Sequence, residues 1–314
     1  MRSFVLRVRT TVFFFVLAFS AFSSHAQEPG KIEIGAGFGP LFFLGDLGGN
    51  MGKGSTLVKD VNFPVTNISK NLYVNVHPTE WLAFRLAFST GMLEGADSLI
   101  NDKGGAESYR KVRNLHFRSR MTELYAAAEI YPTVFFEQYD GLAGKLRPYG
   151  LIGVGVFKFN PQALYYAPNG TSRWVNLAPL KTEGQGMSEH PNRKNYKLTQ
   201  MEIPMGFGAK YYLSDNMYLG LEILHRKTFT DYVDDVSTSY INPDLFDKYL
   251  APESAVVAKQ VYYRGFSAVS RPDNGEQRGQ QKNNDSFFSS ILRFGFRFGE
   301  GSNSAMNMVR CPKF

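Results

Sequence analysis

Residues Gln200 to Ser237, QMEIPMGFGAKYYLSDNMYLGLEILHRKTFTDYVDDVS, set the tightest limit on what this chain can fold into. Ile203, Met205, Phe207 and Ala209 fall on one side of a period-two repeat, with Glu202, Gly206, Gly208 and Lys210 on the other. Beyond a turn at Ser214-Asp215-Asn216, Leu219, Leu221 and Ile223 alternate with Gly220, Glu222 and Leu224. A two-residue period belongs to strands. Strands of soluble domains average about five or six residues, whereas a tilted strand that crosses a bilayer needs roughly nine to eleven. Two strands of the longer kind, apolar on one face and charged on the other, predict the wall of a transmembrane β-barrel.

The same alternation predicts six further strands: Lys31–Phe43, Ser69–His77, Trp81–Thr90, Ser119–Tyr131, Arg147–Phe159 and Ser286–Phe298. The connections alternate in length. Pro78-Thr79-Glu80 and Ser214-Asp215-Asn216 are short and 132–146 is intermediate, whereas 44–68, 91–118, 160–199 and 228–285 are long. Short turns at one end and long loops at the other are the pattern of an up-and-down outer-membrane barrel. The expected fold is therefore all-β: an eight-stranded antiparallel barrel over residues 27–298, with long extracellular loops and both termini in the periplasm. The competing architecture is a secreted lectin-like sandwich, which the long structureless loops count against.

The N-terminus carries an address. Arg2, Arg7 and Arg9 precede the apolar run Val12–Phe22, and Ser24-His25-Ala26 is a small-x-small cleavage site. This is a secretory signal, with residues 1–26 removed, and the run is too short to span a bilayer as a helix. Cleavage takes the formal charge from +7 to +4, because three Arg and no acid are lost. A diffuse excess of that size does not point to nucleic acid. An aromatic content of 15% and 30 Gly suit a barrel with aromatic girdles, held in the lipid of the cell outer membrane.

The inward set of the predicted strands holds Glu33, Glu123, Glu129, Glu202 and Glu222 with Arg85, Lys210, Arg293 and Arg297, and Arg226 near them. Acids and bases nearly balance. Unpaired buried charges cost several kcal/mol each, and an eight-stranded lumen is only wide enough for side chains to fill it. The expectation is an interlocked charge plug, with inward Gly leaving room for the long side chains. A selectivity ring in a conducting channel is the alternative.

Signals of catalysis are weak. His77, His116, His190 and His225 fit no zinc spacing, and no G-x-S-x-G occurs. His225 is a remote candidate for a lipid hydrolase on the outer wall. Asp231, Asp234 and Asp235 suit a hard cation such as Ca²⁺ but lack the Gly and terminal Glu of a calcium loop. The plainer reading of Thr230, Asp231, Tyr232, Asp234 and Asp235 is a hydrogen-bonded base for an external loop. No enzyme activity, cofactor or metal is expected. Cys311, alone in the tail 299–314, is a candidate for a disulfide with a periplasmic partner.

Four stretches carry a family resemblance: EIGAGFGPLFFLGDLGG at 33–49, RPYGLIGVGVFKFNP at 147–161, EIPMGFGAKYYLSDNMYLGLEILHRKTFTDYVDDVS at 202–237, and the terminal CPKF. Together they resemble the PorG-type outer-membrane barrels of the type IX secretion system, over most of the mature chain. The Gly-Asp-Leu-Gly-Gly turn and the TFTDYxDDVS loop base are the more specific parts. The resemblance implies a non-enzymatic component of a protein-export machine linked to gliding. Such a barrel would anchor a periplasmic ring built from a PorK-like lipoprotein and a PorN-like soluble partner. A passive small-solute channel and a surface adhesin or receptor are the alternatives.

Overall fold

Ten strands form one antiparallel sheet, and eight of them close on themselves. The computed structural model describes residues 31–47, 65–100, 108–136, 145–214, 216–265 and 270–298. The signal segment 1–26 and the tail bearing Cys311 lie outside the described residues. The ring runs β3 (Leu82–Ala96), β2 (Asn67–His77), β1 (Lys31–Leu44), β10 (Ser286–Phe298), β9 (Met217–Thr228), β8 (Thr199–Tyr212), β5 (Leu146–Lys158) and β4 (His116–Ile130), and the β3–β4 pairing closes it. The other two strands, β6 (Pro161–Tyr166) and β7 (Ser172–Asn176), form a hairpin that continues β4 beyond the ring through Arg118 and Gln162.

Burial follows the alternation. On β2, β4 and β9 every second residue is buried, and the residues between face outward. The outward set is apolar: Phe207 is 63% exposed, Leu72 61% and Val154 60%. Water would penalise so continuous an apolar girdle, whereas hydrocarbon does not. No helix among the described residues is long and apolar enough to cross a membrane; the crossing elements are strands.

The interior solves a packing problem through cross-strand pairs. Tyr73 stands opposite Gly35, Tyr125 opposite Gly155, Tyr149 opposite Gly208 and Tyr218 opposite Gly295. All four tyrosines are buried. Three of the rings cover the bare backbone of their glycines: a Cβ on Gly208, for one, would lie 2.7 Å from the Tyr149 hydroxyl. Gly155 instead makes the room for a charged side chain that the sequence predicts, since its Cβ would lie 2.9 Å from Glu202 Oε1.

Pairing continues past the expected loop start at Gly91. Six further pairs, from Gly91 with Met121 to Ala96 with His116, extend the β3–β4 hairpin, so the connection shrinks to 97–115. The two glycines at 91 and 95 blur the alternation, yet Leu93 between them is buried inside the ring. The long loops carry structure of their own: α1 (Ser108–Arg113), α2 (Asp244–Tyr249), α3 (Pro252–Tyr262) and the β6–β7 hairpin. Tyr240, Phe246, Ala258, Tyr262, Tyr165 and Met187 join α2, α3 and the β6–β7 hairpin in a second hydrophobic core.

Candidate functional site: a sealed lumen beneath an interlocked loop junction

The strand register stacks the inward side chains in layers. At the termini end, Glu33 receives Lys210 Nζ at 2.6 Å, Arg297 at 2.8 Å and the Tyr212 hydroxyl at 3.1 Å, with His77 Nε2 3.1 Å away. Glu129 takes Lys210 at 3.1 Å, together with Arg85 and the Tyr131 hydroxyl. One layer on, Glu222 is held by Arg85 at 2.6 Å, Arg293 at 2.5 Å and the Tyr149 hydroxyl at 2.6 Å. Above that, Arg226 forks onto Glu123 at 2.6 and 3.1 Å and donates to Ser289. Glu202, opposite Gly155, is fully buried. Charge-assisted bonds hold four of the five acids against five bases, of which only Arg297 is partly exposed, while neither Glu202 oxygen has a hydrogen-bond partner among the described residues.

An apolar layer follows, which the sequence did not announce. Phe43, Phe117, Met121, Phe157, Phe159 and Phe287 close the barrel above the charges, with Phe43 and Phe117 edge-to-face at 4.7 Å. Val233 and Val236 press down on this layer from the loop after β9. An ion crossing the barrel would meet three polar layers and one dry one.

On top of this lid lies an acidic junction. Asp234 accepts from the backbone N–H of Leu47 and of Val236, both at 2.9 Å. Asp46 Oδ2 accepts from Gln280 N–H at 2.6 Å. Thus Gly45-Asp46-Leu47 and the TDYVDDVS segment, distant in sequence, lock together. Asp285 accepts from Val233 N–H at 2.8 Å. Glu183 binds Ser237 N–H at 3.0 Å and Arg278 at 2.8 Å, while Arg113 binds Asp97 at 2.7 Å. Asp235, at a left-handed φ of 66°, accepts the Tyr196 hydroxyl at 2.6 Å. Thr230 accepts at its carbonyl from Asp285 N–H at 3.0 Å and at its Oγ1 from Tyr232 N–H at 3.3 Å. Tyr232 stacks on Tyr196 with centroids 4.8 Å apart.

Burial favours the neutral form of these carboxyls. It pushes Asp231 up to about 9, with the neighbouring Asp46 and Asp234 charges adding to the shift. Burial likewise raises Asp234 and Asp285 well above the usual carboxylate range. Asp46 and Asp235 rise to about 6, again chiefly by burial. These are carboxyls crowded with one another, and the Arg113 and Arg278 charges near them offset burial only in part. Among the described residues no three or more His, Cys, Asp or Glu are grouped so as to hold a metal ion.

His225 faces outward on β9, between Met205 and Phe288 on the flanking strands. Asp46, Asp285, Glu183, Arg113 and Arg278 belong to the junction but stand in no period-two run. Asp46 lies in the 33–49 stretch that carries the family resemblance.

No family model matches the chain, and no curated protein matches it. Among solved structures, a major outer membrane protein of Thermus thermophilus is similar at 14% identity, covering 86% of this chain and 100% of that one, with a TM-score of 0.39. The outer membrane protein OprG of Pseudomonas aeruginosa gives 11% identity, 87% and 98% coverage and a TM-score of 0.38. Outer Membrane Protein W of E. coli gives 13%, 87% and 100%, and 0.35. The strand pairing described above, and not these likenesses, establishes the barrel.

Proposed function

We propose that this chain is a non-enzymatic outer-membrane component of a protein-secretion machine of the type IX kind, acting through protein–protein contacts at its two ends. The carrying observation is the sealed interior: charged layers capped by a phenylalanine lid leave the barrel's faces, not its lumen, to do work. The interlock of Asp46-Leu47 with Asp234 adds weight. It joins the two stretches on which the PorG resemblance is most specific. In this reading the short turns face the periplasm and meet a PorK-like lipoprotein ring with its PorN-like partner, and Cys311 supplies a disulfide to one of them.

The test is deletion with complementation, scored by export of cargo, together with a non-reducing pull-down of the tagged barrel. Loss of export and co-purification of a ring lipoprotein support the reading, and export that survives deletion sinks it. Cys311→Ser should abolish a reducible heavier band on gels. The ordered dome of loops favours one second reading, a surface receptor. Grafting out residues 240–263 would then remove ligand binding and leave export intact.

A further inference from the structure

The outer wall carries an exposed cationic patch on the loop side of its apolar residues, and we propose that it binds the phosphate groups of a phosphorylated glycolipid in the outer leaflet. The register shows which residues are neighbours. Leu72, Phe88, Leu124, Val156 and Met201 form one continuous cross-strand row on the outside of β2, β3, β4, β5 and β8, and all five are exposed apolar side chains. The next outward row toward the loops is Lys70, Thr90, Thr122, Lys158 and Thr199. Arg120 lies two residues above Thr122 on the same face of β4 and is diagonal to Lys158. On these five strands the outward residue next toward the loops changes from apolar to cationic or hydroxylic, while Phe38 beside Lys70 and Ile68 beyond it stay apolar and exposed.

Lys70, Arg120 and Lys158 are exposed, and among the described residues none of them takes part in an ion pair. Their neighbour Arg118 is occupied: it donates to Gln162 at 3.2 Å and stacks over Trp174 at 3.8 Å, and the one acid in this stretch, Glu94, is its cross-strand partner. Lys70 and Lys158 stand three interstrand steps apart, roughly 14 Å along the wall. With flexible stems, that separation suits a headgroup bearing two phosphates better than a single one. Thr90 and Thr122 between them offer hydroxyl donors.

The assignment to a glycolipid rests on the reading that the loop end faces the cell exterior, so the experiment separates the two. Wild type, K70E/R120E/K158E, the uncharged K70Q/R120Q/K158Q and the distant control K282E are purified and offered diphosphoryl lipid A, monophosphoryl lipid A, phosphatidylglycerol or phosphatidylcholine. Retained lipid is counted by native mass spectrometry, on samples whose heat-modifiable gel migration shows a folded barrel. Wild type and K282E should retain diphosphoryl lipid A, and both triple variants should lose about tenfold or more of it. Equal retention by the triple variants, or retention of phosphatidylcholine as strong as that of lipid A, overturns the patch. A preference for phosphatidylglycerol overturns the glycolipid. Separately, Asn169→Cys in a Cys311→Ser background should react with an impermeant maleimide on intact cells. Failure to label overturns the outward orientation, and with it the leaflet, whatever the retention assay shows.

Discussion

Arg85 is the residue whose loss should cost the barrel most. Its side chain is fully buried and bridges two carboxylates, Glu129 and Glu222, the second at 2.6 Å, while Nε donates to Asn75 at 3.3 Å. Arg85→Met keeps much of the volume but strips one cation from both acids. Each acid retains another partner: Glu222 keeps Arg293 at 2.5 Å and Tyr149 at 2.6 Å, and Glu129 keeps Lys210 at 3.1 Å. Breaking a buried pair costs about 3–5 kcal/mol, and these second partners put the expected loss at the lower end, about 3 kcal/mol. That is a shift of roughly 150-fold in the folding equilibrium. Urea titration of the protein folded in vesicles, followed by heat-modifiable migration, would measure it. Adding Glu129→Gln should recover part of the loss, because it removes the acid left in excess while Lys210 keeps Glu33 at 2.6 Å. A loss below about 1 kcal/mol, the range of an exposed pair, or a double variant worse than the sum of the singles, would refute the idea that the lumen is held by mutually dependent charges.

Gly208→Ala should destabilise the barrel by about 1–3 kcal/mol in urea titrations, because the new methyl meets the Tyr149 ring and the Leu221 carbonyl. The loop junction takes up protons on folding, since Asp231, Asp234 and Asp285 are all raised. Its contribution is therefore complete below about pH 4, the ordinary Asp value, and declines as pH rises toward about 9. Protection factors for hydrogen exchange over residues 230–238, taken relative to the intrinsic rate at each pH, should fall between pH 5 and pH 9, and Asp231→Asn with Asp285→Asn should flatten that slope. Wild-type protein in planar bilayers should be electrically silent, and Phe157→Ala should stay silent because the charged layers persist beneath it; steady conductance in either would refute a sealed lumen.

The wall was legible because its two faces see different solvents every second residue. That contrast is written locally, so Glu33, Glu202, Lys210 and Glu222 could be placed inward from their neighbours alone. The top of the molecule was not, because its contacts are not local. Leu47 meets Asp234 across 187 residues and Gln280 meets Asp46 across 234. No pattern near Asp285 or Arg278 marks either as a junction residue. Helix α3 was missed because the 228–285 stretch was read as irregular, although Ala255, Val257, Ala258 and Val261 within it are buried. The upward extension of β3 and β4 was hidden by Gly91 and Gly95, whose missing side chains break the periodic signal without breaking the pairing.

The same long-range bonds constrain the order in which the molecule can be made. Segment 228–285 lies near the end of the chain, yet it supplies the partners for Leu47, Asp46 and Arg113. Loops from the first half therefore close only against a segment 165 or more residues further along the chain. Such high sequence separation makes for slow, late closure. The last long loop acts as a keystone: until it arrives the dome is a set of loose ends, and once seated it ties the first strands of the barrel to the last.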